Sequence, residues 1–415
     1  MNQIEATGIA DVQAAVRAAG ERDVPLAIYS TGHGTHEPTE GALVLRTSGM
    51  AGVLVDPDRR VARVGAGATW GQVLAAAAPF GLAPLSGSSP TVGVAGFTLG
   101  GGVGWLSRKH GFAADHLLRA ALVTADGELV IADADQEPDL FWAIRGGGGN
   151  FGVVTGLEFR LFPVKQVYAG TSYFDFERAP DALARYGEWI AEAPDESSTA
   201  LLLMRMPDTP DVPQRVRGRR VLAIRAMYAG DAAEAERLLA PLRAAAGPAL
   251  VEGFRPVSYA DARMGGTPPN KVDLLNGLPD AVIGSLVQAI EDESSPVTTV
   301  ELRHWGGAMA RPPEGAGPVG HRSVPLSVIA DAEHPDLVEA LRPWATGGSF
   351  LNFLKDTSRT ASAYTPENYA RLRDVKADWD PGNLFCFGHN IRPAATARKS
   401  LPSSAGWVTV ASTAS

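Results

Sequence analysis

Residues 29–35, Tyr29-Ser-Thr-Gly-His-Gly-Thr35, set one imidazole between two glycines directly after a short apolar run. Glycine tolerates positive φ, and such a loop turns successive backbone N–H groups toward one point, an anion-binding concavity that suits a diphosphate. His33 then stands at the rim with a nucleophilic ring nitrogen. An isolated loop histidine more often bonds nearby backbone, but the flanking glycines favour the ligand-facing alternative. A second segment, Ser86 to Gly104, carries G-x-x-G and G-G-G-x-G spacings, and a third, RGGGGNFGVVT, follows at 145–155. Two separated glycine knots, 100–104 and 146–149, suggest one extended ligand touched twice. No Rossmann βαβ unit with a distal acid surrounds them, which argues against a nicotinamide dinucleotide. Spacing reveals no paired acids, metal ligands or Ser-His-Asp arrangement; His304 and His321 are too far apart to pair from sequence. Cys386 in LFCF reads as a packing residue, and His389 as structural or ligand-facing.

The elements around these loops read as α/β. The apolar spacing of Ile9–Ala19 predicts a helix closing on Gly20. PLAIYS, ALVLRTS and RRVARVGAG read as strands, and TWGQVLAAAAPFGLA as a helix capped by Thr69. LLRAALVTADGELVIAD is a hairpin turning at Asp126–Gly127. PDLFWAIRG is a short helix, and GVVTGLEFRLFPV a strand ending at Pro163. From Val64 to Ser107 there are 44 residues without one Asp, Glu, Lys or Arg, and 11 of them are glycine. Prolines within that stretch exclude a lipid-exposed helix, so its main chain is expected to pack against something large and buried. Beyond Pro163, strands and helices alternate with more charge, fitting a second, sandwich-like α+β domain.

At 415 residues the chain has room for roughly two domains of ~150 residues or more. Its 37 basic and 46 acidic residues give a net charge of −9, which argues against nucleic acid and anionic membranes as partners. One cysteine excludes an intramolecular disulfide. No secretory signal is visible in the first residues, so a cytoplasmic protein is expected.

The long motifs STGHG (30–34), RVGAGATWGQV (63–73), SPTVGVAGFTLGGGVGWLSRKHGFAAD (89–115), VTADGELV (123–130), DLFWAIRGGGGNFGVVT (139–155) and NYARLRDVKADWDPGNLF (368–385) occur in an order that resembles one family. It is the berberine bridge enzyme-like branch of the vanillyl-alcohol oxidase / para-cresol methylhydroxylase superfamily of flavin-dependent oxidases. The resemblance implies an α+β fold: a two-subdomain FAD-binding (PCMH-type) domain plus an α+β substrate domain whose antiparallel sheet is flanked by helices. It assigns 1–163 to the FAD-binding domain and 164–354 to the substrate domain. Residues 355–393 form a segment returning to the FAD domain, and 394–415 are expected to be a disordered tail. The resemblance further implies FAD as the cofactor, with Thr31, Gly32, His33, Gly34 and Thr35 holding its pyrophosphate. Gly87, Ser88, Thr91, Val92, Gly93, Gly96, Phe97, Gly102, Gly104, Gly152 and Val153 line it, and Asn383 and Asn390 close the site. The residue matching His33 typically carries the flavin covalently through the 8α-methyl carbon.

Two departures bear on the chemistry. Bicovalent members have a cysteine before Pro-Thr-Val-Gly, where this chain has Ser89, so attachment is expected once, through His33, or not at all. Many members place a base in Tyr-x-Asn-Tyr, where this chain reads Phe350-Leu-Asn-Phe353, and phenylalanine has no proton to exchange. Asn352, Tyr364, Arg303 and His321 are the candidate catalytic residues, with His304 and Arg322 beside them. The resemblance implies an FAD-dependent oxidase of secondary metabolism that takes hydride from a small alcohol, amine or secondary-metabolite substrate to flavin N5. Dioxygen would be the acceptor and hydrogen peroxide the product. The alternatives are a dehydrogenase using another acceptor and a flavoprotein performing a redox-neutral cyclisation.

Overall fold

The computed structural model describes residues 3–34, 38–262 and 264–395. Strands β1 (Gln3–Glu5), β2 (Leu26–Tyr29) and β3 (Leu43–Arg46) form a parallel three-stranded sheet in the order β1-β3-β2. Helix α1 (Ile9–Glu21) covers it because Val12, Ala15, Val16 and Ala19 fall on one face at helical spacing and are all buried. Asp11 accepts the Thr7 and Gly8 amides at 2.8 and 3.1 Å and fixes the helix start. The helix runs one residue past Gly20.

Strands β4 (Val53–Asp56), β5 (Val61–Gly65), β6 (Leu117–Val123), β7 (Leu129–Asp133) and β8 (Val153–Arg160) make an antiparallel sheet in the order β4-β5-β8-β6-β7. Between β5 and β6 lie α2 (Trp70–Ala77) and α3 (Val94–Leu99), within the uncharged stretch foreseen from sequence, and the basic α4 (Ser107–His110) at its end. Thr69 and Gln72 cap α2, the Thr69 amide donating to Gln72 Oε1 at 2.8 Å. Helix α5 (Pro138–Ile144) lies between β7 and β8.

After β8 the chain enters a seven-stranded sheet. Its strands are β9 (Gln166–Asp175), β10 (Ser197–Arg205), β11 (Arg220–Tyr228), β12 (Arg255–Ser258), β13 (Lys271–Leu275), β14 (Thr299–His304) and β15 (Leu326–Ala330), in the order β12-β9-β11-β10-β14-β15-β13. Alternation splits it cleanly. Leu201, Leu203, Leu222, Ile224, Val300, Leu302 and Val328 pack under helices α6 (Ala179–Trp189), α7 (Ala232–Ala246), α8 (Asp280–Glu291) and α9 (Pro335–Leu341). Ala200, Leu202, Ala223 and Met227 point the other way, into a cluster with Leu85, Trp105, Leu106 and Ala113 from the glycine-rich stretch. This is the α+β arrangement expected, an antiparallel sheet with helices packed over one face, although β9, β12 and β13 were not foreseen as strands. Helix α10 (Pro366–Trp379) then returns against α5 and Phe151 in the core of the five-stranded sheet. Among the described residues no helix is long and apolar enough to cross a membrane.

Candidate cofactor and substrate site

Strand β2 delivers Ser30 into the first glycine loop, where Ser30 Oγ donates to Ala66 O at 2.9 Å. The amides of Thr31, Gly32, His33 and Gly34 make no hydrogen bond among the described residues, and added Cβ atoms at Gly32 and Gly34 would meet nothing. Unpaired N–H groups on open backbone are what an oxyanion needs. Thr35 lies outside the described residues. Across the gap stands the second segment. His33 Nε2 is 2.8 Å from Thr91 Oγ1, which is 2.9 Å from Ser89 Oγ, and a Cβ at Gly93 would touch Ser30 and Thr31 at 3.1–3.2 Å. Residues 58 apart in sequence therefore form one rim, and Nδ1 of His33 makes no hydrogen bond among the described residues.

Most other glycines accommodate the chain itself. A Cβ at Gly100 would meet Asn352 Nδ2 at 2.3 Å, at Gly101 Phe350 at 3.0 Å, and at Gly104 Ser86 O at 1.9 Å. Gly87 and Gly102 both abut the ring of Phe97, which also meets Trp70 edge-on at 5.3 Å. In the 146–149 knot, Gly146 abuts Val319 and Gly147 abuts Ala143 O, while Gly149, like Gly96, is open. In both knots the missing Cβ lets 319, 350–352 and α10 approach the main chain closely. Gly152 backs onto Val123 O and the Val153 side chain is buried beside α1, so only their main chain is available to a ligand. Val92 is half-buried against the core of the five-stranded sheet.

The returning segment is held by Asn150, which donates to Gly147 O and His389 O at 2.7 and 2.9 Å and accepts the Ile391 amide at 2.8 Å. On that segment Asn383 Oδ1 and Asn390 Oδ1 are buried with no hydrogen-bond partner among the described residues. Asn390, Gly388 and the half-buried Cys386 line a cleft of about 500 Å³ with Tyr369 and Arg373.

The four candidate catalytic side chains are not brought together. Asn352 Oδ1 accepts the Gly102 amide at 2.9 Å and its Nδ2 donates to Phe97 O at 3.2 Å, so it staples the glycine stretch. Tyr364 is buried, donates to Gly146 O at 3.1 Å, and burial holds its phenol far above the usual range. His321 has Nε2 2.8 Å from Ser362 O and its ring against Gly348. Arg303 alone sits on the sheet face toward the glycine stretch, with Trp105 and Phe353 flanking its guanidinium at 5.3 and 5.9 Å. His304 points to the helix side, near Tyr186 and Trp189, and burial pushes it well below its ordinary value. Arg322 makes a bidentate pair with buried Asp115 at 2.9 and 2.7 Å. Sequence reasoning missed Glu301 and Arg225, which join Arg303; only strand register reveals them.

This fold, with its glycine-rich rim and a sheet laid over it, defines a PCMH-type FAD-binding oxidoreductase. A family model for "FAD binding domain" matches residues 3–133, and one for "Berberine and berberine like" matches 349–392. The chain is 30% identical to (R)-6-hydroxynicotine oxidase of Paenarthrobacter nicotinovorans, over 92% of this chain and 89% of that one. It is 28% identical to xylooligosaccharide oxidase of Thermothelomyces thermophilus, over 92% and 85%. The solved structure of 6-hydroxy-D-nicotine oxidase from Arthrobacter nicotinovorans superposes with a TM-score of 0.81 at 26% identity, covering 94% of this chain and 92% of that one. Berberine bridge enzyme from Eschscholzia californica shares the fold, with a TM-score of 0.80 at 22% identity over 95% and 90%. The chain belongs to the berberine bridge enzyme-like family of FAD-linked oxidoreductases.

The residues present fit FAD. The open N–H run at 31–34 suits its diphosphate, and the orphaned Asn383 and Asn390 oxygens are buried acceptors awaiting a donor.

Proposed function

We propose that the protein is an oxidase that takes hydride from a C–H next to oxygen or nitrogen in a small organic substrate. The activities named for its relatives, on a hydroxynicotine and on oligosaccharides, support that substrate range. When bound, FAD would supply a two-electron acceptor at N5, with dioxygen as the final acceptor and hydrogen peroxide as the product. The chain's part is to hold, orient and seal. Amides 31–34 bind the diphosphate, and Thr91 holds His33 Nε2 so that Nδ1 is the atom available to the 8α-methyl group. Ser89 offers no second sulfur link. The reading also divides the chain into an FAD-binding part (1–163), a substrate part (164–354) and a returning segment (355–393).

None of Asn352, Tyr364 and His321 serves as base in this reading, because each is committed to backbone or buried with its proton held. We therefore favour substrates that need no strong base, such as a neutral amine whose nitrogen lone pair assists hydride departure. The observation that carries the proposal is the His33–Thr91 contact beside four amides that make no hydrogen bond among the described residues.

Purified protein is expected to be yellow, to bleach anaerobically with substrate, and to return its colour in air with one peroxide per turnover. On a denaturing gel the flavin fluorescence should migrate with wild type and be absent from His33→Ala. Slow reoxidation in air would indicate a dehydrogenase, and many anaerobic turnovers without bleaching a redox-neutral reaction.

A further inference from the structure

We propose that Arg303, backed by Arg225 and Glu301, forms an anion site on the face of the seven-stranded sheet turned toward the glycine-rich stretch, and that the substrate carries a carboxylate. The inference rests on the preceding reading that this face lies over the substrate. Arg225 on β11 and Arg303 on β14 both pair with Ala200 on the strand between them, whose small side chain leaves the two guanidinium groups room to converge. They meet on Glu301. Arg303 Nε and Nη2 reach Glu301 Oε1 at 2.8 and 2.6 Å, and Arg225 Nη1 reaches Oε2 at 3.5 Å. Thr267 pins the same carboxylate through its amide and hydroxyl at 3.1 and 2.8 Å.

The charges do not balance. Two guanidinium groups, with side chains 12% and 11% exposed, face one fully buried carboxylate, leaving one net positive charge among the described residues. A single arginine would satisfy Glu301, and burying a second costs desolvation that a self-contained ion pair does not need. Arg303 Nη1 and Arg225 Nη2 make no hydrogen bond among the described residues, and neither is a sealed buried atom. One planar guanidinium edge with one surplus charge matches a monoanionic carboxylate, held bidentately.

The site borders the cofactor stretch. Trp105, under Arg303, donates from Nε1 to Ser88 Oγ at 3.2 Å. A Cβ at Gly266 would lie 3.6 Å from Ser88 Oγ and 3.7 Å from Arg303 Nη2. The Trp105 and Phe353 rings beside the guanidinium supply an apolar flank, so an aromatic acid is the fitting probe.

The test is equilibrium binding of sodium benzoate and of neutral benzamide to the FAD-loaded protein. It is followed by the visible flavin spectrum and tryptophan fluorescence at constant ionic strength. Benzoate should bind saturably and at least about 10-fold more tightly than benzamide. Arg303→Met should lose about 10-fold or more of the benzoate affinity, with Arg303→Lys intermediate because it keeps charge without the fork. Glu301→Gln keeps both arginines and the shape, covers the case in which Arg303→Met does not fold, and should tighten benzoate several-fold. Equal binding of benzoate and benzamide, unchanged affinity in Arg303→Met, or no gain in Glu301→Gln would each overturn the site. So would an Arg303→Met variant that shifts the flavin midpoint potential while leaving benzoate binding intact. Binding is read without turnover, so its failure leaves the oxidase reading standing. Loss of peroxide formation with retained benzoate binding would count against the oxidase reading alone.

Discussion

Asn352 is a side chain whose bonds in the structure are to backbone. Its position in the motif suggests catalysis, but its amide bonds the Gly102 N–H and the Phe97 carbonyl, holding the end of α3 to the 350–353 segment. Asn352→Ala is expected to lower stability by about 2 kcal/mol, since it strands a backbone donor and acceptor in a confined place. Gly100→Ala drives a methyl to within 2.3 Å of the same amide, so its damage runs through Asn352. The double variant should therefore cost clearly less than the sum of the singles, a coupling read from a thermal-melt double-mutant cycle. Simple additivity would mean that Gly100 matters for another reason. The His33 loop was marked at this scale because its glycines announce an unusual backbone. The Glu301 cluster was not, since Arg225, Thr267 and Glu301 are joined only by the register of β10, β11 and β14 and the loop beside them.

Elements with their own local signals were readable from sequence: the Thr69 cap of α2, the Asp126–Gly127 turn between β6 and β7, the apolar stripe of α1. Those without such signals were not. Strand β1 has three residues, β12 four with a proline, and β13 carries Lys271 and Asp273, so none shows a periodic pattern. Helix α10 presents a different case, because its buried anchor is a charge. Lys376, fully buried, donates to Asn150 O at 2.7 Å, Phe385 O at 3.1 Å and Asp380 Oδ2 at 2.6 Å, while Asp380 also accepts the Leu384 and Phe385 amides at 2.8 and 2.9 Å. Lys376→Met should leave Asp380 without its counter-charge and two carbonyls without a donor, costing about 3–5 kcal/mol. The loss should appear both as a lower Tm and as a smaller fraction of chains that carry FAD, since Asn383 and Asn390 lie on the segment this lysine secures. A stable variant that retains FAD normally would mean that the segment is held elsewhere.

The molecule as a whole depends on a seam between the glycine stretch and the seven-stranded sheet, and α4 carries three basic residues into it. Arg108 donates to Ser197 O at 2.6 Å and to the carbonyls of Ala193, Pro194 and Trp305; burial lowers its pKa to about 10, which leaves it charged at neutral pH. Lys109 donates to Ala229 O at 2.8 Å. His110 stacks on Phe162 at 3.9 Å, where the chain crosses between the two sheets, with His116 edge-on to the same ring at 4.9 Å. Burial, with Lys109 and His116 adding to it and Glu196 opposing, lowers the His110 pKa to about 4 from 6.5; burial lowers His116 as well. The folded protein therefore binds fewer protons than the unfolded chain between pH 6.5 and 4. Stability is greatest above pH 6.5 and falls as pH drops toward 4, by on the order of 2 kcal/mol for His110 after allowance for its partial exposure. His110→Phe keeps the stack and removes the proton site. Its Tm should decline less between pH 6.5 and 4 than that of wild type, with a residual slope from His116 and the carboxylates. If the two profiles run parallel, His110 is solvated across the seam and acid lability has its origin elsewhere.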